Sequence, residues 1–183
     1  MVRAATDLFV TNGWAATGMR DVARAAGVAV DTLYSHYPSK RALLDAVVDQ
    51  AAAGDDAPVA VAERPEFRAM GRGRRADRIS AAAAVVAAIS GRTAPFARLI
   101  RDAAVGDPEI AGVLRATRDR QRADVAAGLG LVLGRAPTAA ERDGVWALVS
   151  PEVFLLLVHE TGWSVEDYER WVAEMLTRTL PRT

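Results

Sequence analysis

Two histidines and no cysteine limit what this chain of 183 residues can do with its side chains. His159-Glu160 opens like HExxH, in which two histidines on one helix face hold zinc and the Glu acts as base. The second histidine position falls on Trp163, so the motif fails. Two His without Cys leave little for a transition-metal site, and a chain without thiols has no disulfide framework. Gly71-Arg72-Gly73-Arg74-Arg75 contains GxG, but no strand pattern precedes it and no third Gly follows at nucleotide-binding spacing. It reads as a solvated basic turn, with phosphate contact as the other reading. No GxSxG, phosphate loop or paired-carboxylate motif stands out, and the acids scatter along helix faces. The expectation is a protein that is not an enzyme and carries no cofactor and no metal.

The other stretch with chemistry in it runs from Thr17 to Lys40, TGMRDVARAAGVAVDTLYSHYPSK. Thr17 is a candidate N-cap for a helix over Met19–Ala26. Gly27 follows, where a helix ends best in a left-handed residue. Ala29–Tyr37 reads as a second short helix with polar and aromatic tips, stopped by Pro38-Ser39. Helix, Gly-containing turn and second helix outline a helix-turn-helix, whose second helix enters the DNA major groove. The same outline also serves αα-hairpins that bind nothing.

Further elements must position that pair. Residues 3–12 form a helix with Ala5, Leu8 and Phe9 on one face, ended by Gly13. Ser39 caps a fourth helix through Leu43, Leu44, Val47, Val48 and Ala51. Gly54-Asp55-Asp56-Ala57-Pro58 breaks it and marks the domain boundary, giving domains of 1–53 and 54–183. Ala57–Ala62 is apolar but too short to read as a strand, and Glu63–Met70 reads as a short helix. Ala76–Ser90 reads as a helix stopped by Gly91, with Thr93 capping the next. Asp107-Pro108-Glu109 starts a helix reaching about Leu133, with N-cap, Pro at N1 and an acid in the first turn. Thr138–Glu160 is the most apolar helix, and Pro151 should kink or split it near Ser150. Ser164 and Asp167 resemble a capping box for a last helix that buries Tyr168, Trp171, Val172, Met175 and Leu176.

Composition agrees with an all-α fold. The chain is 51% hydrophobic and 6% aromatic, and no long apolar–polar alternation indicates strands. No apolar run reaches membrane-spanning length, and Met1-Val2-Arg3-Ala4 does not open a signal peptide, so a cytoplasmic location and no membrane are expected. Net charge is zero. Within residues 1–53, Arg3, Arg20, Arg24, Lys40 and Arg41 face Asp7, Asp21, Asp31, Asp45 and Asp49, five against five. Such neutrality runs against the usual footprint of a DNA binder and implies modest non-specific affinity.

The residues Leu8-Phe9, Gly13, Thr17, Asp21-Val22-Ala23, Ala26-Gly27-Val28, Thr32-Leu33-Tyr34, His36-Tyr37-Pro38-Ser39-Lys40 and Leu43-Leu44 resemble, in order and without gaps, the N-terminal domain of the tetracycline-repressor (TetR) family. The resemblance covers about residues 3–50. It implies an N-terminal helix-turn-helix domain followed by a helical ligand-binding and dimerisation domain. By that resemblance, Thr17, Ala29, Val30, Asp31, Thr32, Tyr34, Ser35, His36 and Lys40 face DNA. Tyr34, His36, Lys40 and the Thr17 hydroxyl look like phosphate contacts, while Leu33 and Tyr37 belong to the core. Family members often carry small polar and basic residues where this chain has Ala29-Val30-Asp31. Ala29 and Val30 could meet thymine methyls, and Asp31 could accept from a cytosine amino group or cap its helix. In the family a short basic arm precedes the first helix. Only Val2-Arg3 do so here, and a start of translation upstream of Met1 is the expectation.

The resemblance further implies a dimeric repressor on a pseudo-palindromic operator in double-stranded DNA, released by a small apolar ligand. Phe67, Met70, Ile89, Phe96, Leu99, Trp146, Phe154 and His159 are the candidate lining of its cavity. Helices about 138–160 and 164–180 are the candidate homodimer interface, and the fourth helix is the mechanical link. A helical binding or interaction protein that keeps the fold but has lost specific DNA recognition is the alternative.

Overall fold

The structure is a computed structural model and describes residues 1–54 and 61–181. It is all-α, with no strand among the described residues. Helix α1 spans Val2–Ala16, α2 Met19–Ala26, α3 Val30–His36 and α4 Lys40–Ala53. After a 3₁₀ turn at Val61–Glu63 come α5 (Pro65–Ala69), α6 (Arg75–Ala104), α7 (Pro108–Leu133), α8 (Ala139–Leu148), α9 (Pro151–Phe154) and α10 (Val165–Thr179). The expected break after α4 begins at Gly54, which closes that helix at φ 88°. The rest of that stretch, Asp55 to Pro58, lies outside the described residues, as does most of the apolar Ala57–Ala62.

Local sequence explains most of these boundaries. Gly13 leaves helical geometry at φ 79°, ψ 175°, so the first helix breaks where Gly was expected to end it, and a last turn over Trp14–Ala16 follows. Gly27 at φ 67° stops α2 in the left-handed region open to glycine. The Asp107 carboxylate accepts from the Glu109 and Ile110 amides, with Pro108 at the first helical position. Ser164 and Asp167 cap α10 reciprocally. The apolar stretch after Thr138 does split at Ser150, whose hydroxyl caps α9. Beyond Phe154 the chain continues as a π-helical turn over Leu155–Glu160.

Three sequence expectations are corrected. Thr17 does not cap α2; Gly18 stands there, and the Asp21 carboxylate accepts the Gly18 N–H at 3.1 Å. Thr17 instead closes α1, because its hydroxyl is drawn to carbonyls on the preceding helix. Nor does Gly91 stop a helix: α6 runs unbroken for 30 residues through Gly91 and Pro95, about 45 Å of rod. Thr93 is buried inside that helix, and its hydroxyl donates to the Ile89 carbonyl oxygen at 2.9 Å, a bond that replaces the cap expected of it. Burial of Ala87, Ala94, Phe96 and Ile100 on successive turns outweighs the helix-breaking tendency of Gly and Pro. Among the described residues, α6 alone is long and apolar enough to cross a membrane. It lies instead at the centre of the fold, packed by α1, α4, α7, α9 and α10.

Two apolar cores result. The first joins Ala5, Phe9, Val22, Leu33, Leu43, Leu44 and Val47 from α1–α4 to Phe96 and Ile100 of α6 and Ile110 and Val113 of α7. The second gathers Phe67, Met70, Ile79, Ala83, Leu129, Phe154, Tyr168, Val172 and Leu176 around the first half of α6. The basic turn Gly71–Arg75 sits at the start of α6, a helix length from the end that meets the N-terminal core. Arg75 there donates to the Thr177 and Leu180 carbonyl oxygens and Arg74 pairs with Asp77, so these two arginines tie the turn to α10 and cap α6.

Candidate DNA interface and ligand cavity

Helix α3 is short and held by one residue. Leu33 is fully buried, and around it Ala29, Asp31, Thr32, Tyr34, Ser35 and His36 are all exposed. Val30 is half-buried against the N-terminal core, which reduces its share in any base contact. Tyr34 is 46% exposed, unusual for so large a side chain, and it projects from the same helix. The Ser35 hydroxyl donates to the Thr32 carbonyl oxygen at 2.8 Å. His36 Nδ1 lies 2.9 Å from the same oxygen, a pairing in which Nδ1 donates. Asp31 occupies the first turn of α3, where a carboxylate favours the helix dipole, but makes no side-chain cap.

Two residues expected at DNA have other occupations. Thr17 is 1% exposed, and its hydroxyl donates to the Leu8 and Gly13 carbonyl oxygens at 3.1 and 2.9 Å. It fixes the corner from which α2 departs. Lys40 is half-buried: its ammonium donates to the Trp14 carbonyl oxygen and lies 4.0 Å from the centre of the Trp14 ring. Burial lowers its pKa, with Asp107 acting in the opposite direction. In this structure both side chains bridge elements of the N-terminal domain: Thr17 to two α1 carbonyls and Lys40 to Trp14. Arg20 is exposed and free of ion pairs among the described residues, whereas Arg24 pairs with Asp21 at 2.6 Å.

The second region is a cavity of about 150 Å³ between α5, α6, α7, α8 and α10. Phe67, Met70, Ile89 and Trp146 line it, as expected from sequence. The other four candidates lie elsewhere. Phe96 belongs to the N-terminal core and Leu99 packs beside it. Phe154 is buried behind the cavity with its edge on Tyr168, ring centres 4.9 Å apart. His159 is exposed on the π-helical turn, its ring 6.0 Å from Phe154.

Sequence reading missed the contribution of α7. Gln121, Asp124, Val125, Gly128, Leu129 and Val132 all line the cavity. Val125, Gly128, Leu129 and Val132 follow helical spacing, and Gln121 and Asp124 extend that stripe back by one turn. The charges of Arg115–Asp124 concealed it. Ser90 and Thr93 bring hydroxyls from α6. Tyr168 stands next to Ser90, with no hydrogen bond of normal geometry between them, and burial pushes its phenol up to about 12. Asp124 is also shifted upward by burial, opposed by the charge of Arg120. No cluster of metal-ligating side chains occurs among the described residues.

The cavity wall touches the N-terminal domain through α6. Arg92 lies between the lining residues Ser90 and Thr93, and its guanidinium donates to the Ala51 and Ala52 carbonyl oxygens at the end of α4. Gly54 lies against it: a Cβ at that position would come within 3.0 Å of the guanidinium carbon.

The arrangement is a helix-turn-helix anchored by a buried leucine on a larger helical body with a cavity. Residues 1–47 match the model of bacterial regulatory proteins of the tetR family. Over its whole length the chain is similar in structure to a TetR-family transcriptional regulator from Rhodococcus sp., with TM-score 0.71 and 17% identity over 98% of this chain and 96% of that one. A TetR-family member from Streptomyces coelicolor A3 gives TM-score 0.67 and 21% identity over 99% and 96%. The multidrug binding protein EbrR, solved with imidazole, gives TM-score 0.63 and 23% identity over 100% and 93%. No curated protein matches the sequence. The N-terminal domain is a tetR-family helix-turn-helix domain, and the chain as a whole has the fold of that family's regulators.

Proposed function

We propose that the chain is a dimeric transcriptional repressor that leaves a pseudo-palindromic operator when a small, mainly apolar molecule enters the cavity. The observation that carries this reading is Arg92, which stands in the helical turn lining the cavity and holds the carbonyl end of α4. A ligand that prefers one position of α6 thereby prefers one position of α4, and the Lys40 end of α4 carries the α2–α3 unit. Release requires the ligand to bind the DNA-incompetent state more tightly, since equal affinity would shift nothing. Dimerisation through α8 to α10 is supported by apolar side chains left open there, among them Leu156, Val165 and the half-buried Val153, Leu157 and Trp163. Two copies are needed because one short recognition helix reads only a half-site. A cytoplasmic location follows from this reading.

Binding to a DNA fragment upstream of the protein's own gene tests it, with Tyr34→Ala as the control. Wild type is expected to bind as a dimer, and the variant to lose affinity for all sequences by about 1 kcal/mol. Undiminished binding in the variant would refute this docking. The neutral charge of the N-terminal domain, with Val30 turned towards the core, favours a second reading: a protein of this fold without specific DNA recognition. The absence of any preferred fragment in the same assay would select it.

A further inference from the structure

The cavity carries one ionisable side chain, and no cationic side chain shares its lining. Asp124 stands in a lining that is otherwise aliphatic, aromatic or neutral polar, with no Arg or Lys in it. The arginines on the neighbouring turns of α7 are engaged elsewhere. Arg118 pairs with Glu152 at 3.1 Å, Arg122 with Asp143 at 2.8 Å, and Arg120 reaches towards Asp49 at 4.0 Å. Asp143 in turn is shared with Arg142. Asp124 makes no hydrogen bond and no ion pair among the described residues, and Arg120 acts on it only through space. Trp146 lines the same cavity, and Arg122 lies 5.5 Å from its ring centre. A cation is already an accepted companion of this indole.

Resting on the reading of this cavity as the ligand site, we infer that its ligand is a small organic cation: an apolar body of about one ring, bearing one positive charge. The volume of about 150 Å³ is that of a cavity that takes benzene. The aliphatic wall of α6 and α7 receives the body, and the charge lies against Asp124 and the indole face. Asp124 is exposed, and a carboxylate beside an apolar wall gains most from a partner that is itself weakly hydrated, which describes a substituted ammonium better than an inorganic cation. A neutral ligand would leave Asp124 as it is, and an anion would be repelled.

The probes are benzyltrimethylammonium and its neutral carbon isostere neopentylbenzene. They share shape and differ in one charge that no pH change removes. Affinities for the full-length protein and for Asp124→Asn are measured by calorimetry. The cation is expected to bind wild type about tenfold more tightly than the isostere, and Asp124→Asn to bring the two level by weakening the cation alone. Retained binding of the isostere shows that the variant is folded. A wild type that takes the isostere as well as or better than the cation overturns the inference and leaves the cavity a ligand site, as does a preference that survives Asp124→Asn. Binding of neither probe overturns both the inference and the cavity reading beneath it.

Discussion

Arg92 Nε donates to the carbonyl oxygen of Ala51 at 2.9 Å, and Nη2 of the same side chain reaches Ala52 at the same distance. These carbonyls belong to the last turn of α4, where four acceptors lack partners within the helix and the dipole favours a cation. One side chain from the cavity-lining stretch of α6 thus completes the end of α4. Arg92→Ala is expected to lower stability by about 1 kcal/mol in urea unfolding. The Gly54 amide, which donates to Gln50 at 2.8 Å, should then exchange its hydrogen faster in the native state. Unchanged exchange there would mean that α4 ends just as firmly without Arg92.

Thr17 and Tyr34 should separate folding from recognition. Thr17→Val keeps the side-chain shape but removes the donor that satisfies the Leu8 and Gly13 carbonyls in a buried corner. A loss of about 1–3 kcal/mol of stability is expected. Tyr34 is largely exposed, so Tyr34→Ala should leave the unfolding midpoint within about 0.5 kcal/mol of wild type while weakening DNA binding. Both effects appear when denaturation and DNA binding are measured on the same preparations.

Lys40 yields a salt-dependence test. Its ammonium is taken up by the Trp14 carbonyl and ring. Lys40→Met is expected to leave unchanged the slope of log affinity for DNA against log salt, whereas loss of a phosphate contact would reduce that slope by about 1. Its cost should fall on stability instead, about 1 kcal/mol through the lost cation–π contact and hydrogen bond.

Two groups illustrate how stability depends on pH. The Arg135 fork, with help from the Thr138 amide and hydroxyl, holds the Glu141 carboxyl at about 2 against an ordinary 4.5. Its stabilising contribution is present in full above about 4.5 and is lost as pH falls through about 2. Tyr168 lies on the other side: raised from 10.0 to about 12 by burial, it contributes fully below 10.0 and loses that contribution as pH rises towards about 12. Carboxyl NMR titration should find Glu141 at about 2 and show it returning upward in Arg135→Ala. Phenolate absorbance should show one of the three tyrosines ionising only near 12.

The elements whose signals are local were legible in the sequence. Gly27, Asp107-Pro108 and Ser164–Asp167 act within one turn of themselves, and each stands where its chemistry requires. Leu33 as the anchor of α3 followed from the helix-turn-helix pattern. Thr17, Thr93 and Lys40 were harder because each side chain chose a partner that only folding reveals: two carbonyls of α1, the carbonyl one turn back, and an indole 26 positions away in sequence. Gly91 and Pro95 look like terminators, but burial along α6 overrides them. Four of the eight cavity candidates were found because large apolar residues on α5, α6 and α8 face inwards. The α7 wall was overlooked because arginines on its outer faces hide an apolar stripe of Val, Gly and Leu.

The first core draws on Phe96, Ile100, Ile110 and Val113, residues encoded well downstream of the recognition helices they support. A segment cut at Gly54 and grafted onto another body would arrive with one flank of Leu43, Leu44 and Val47 uncovered. In this chain the N-terminal helices share their core with the body, and recombination that exchanges such a module is expected to need the α6–α7 corner with it. A core shared in this way is expected to make the N-terminal helices and the body unfold in one transition.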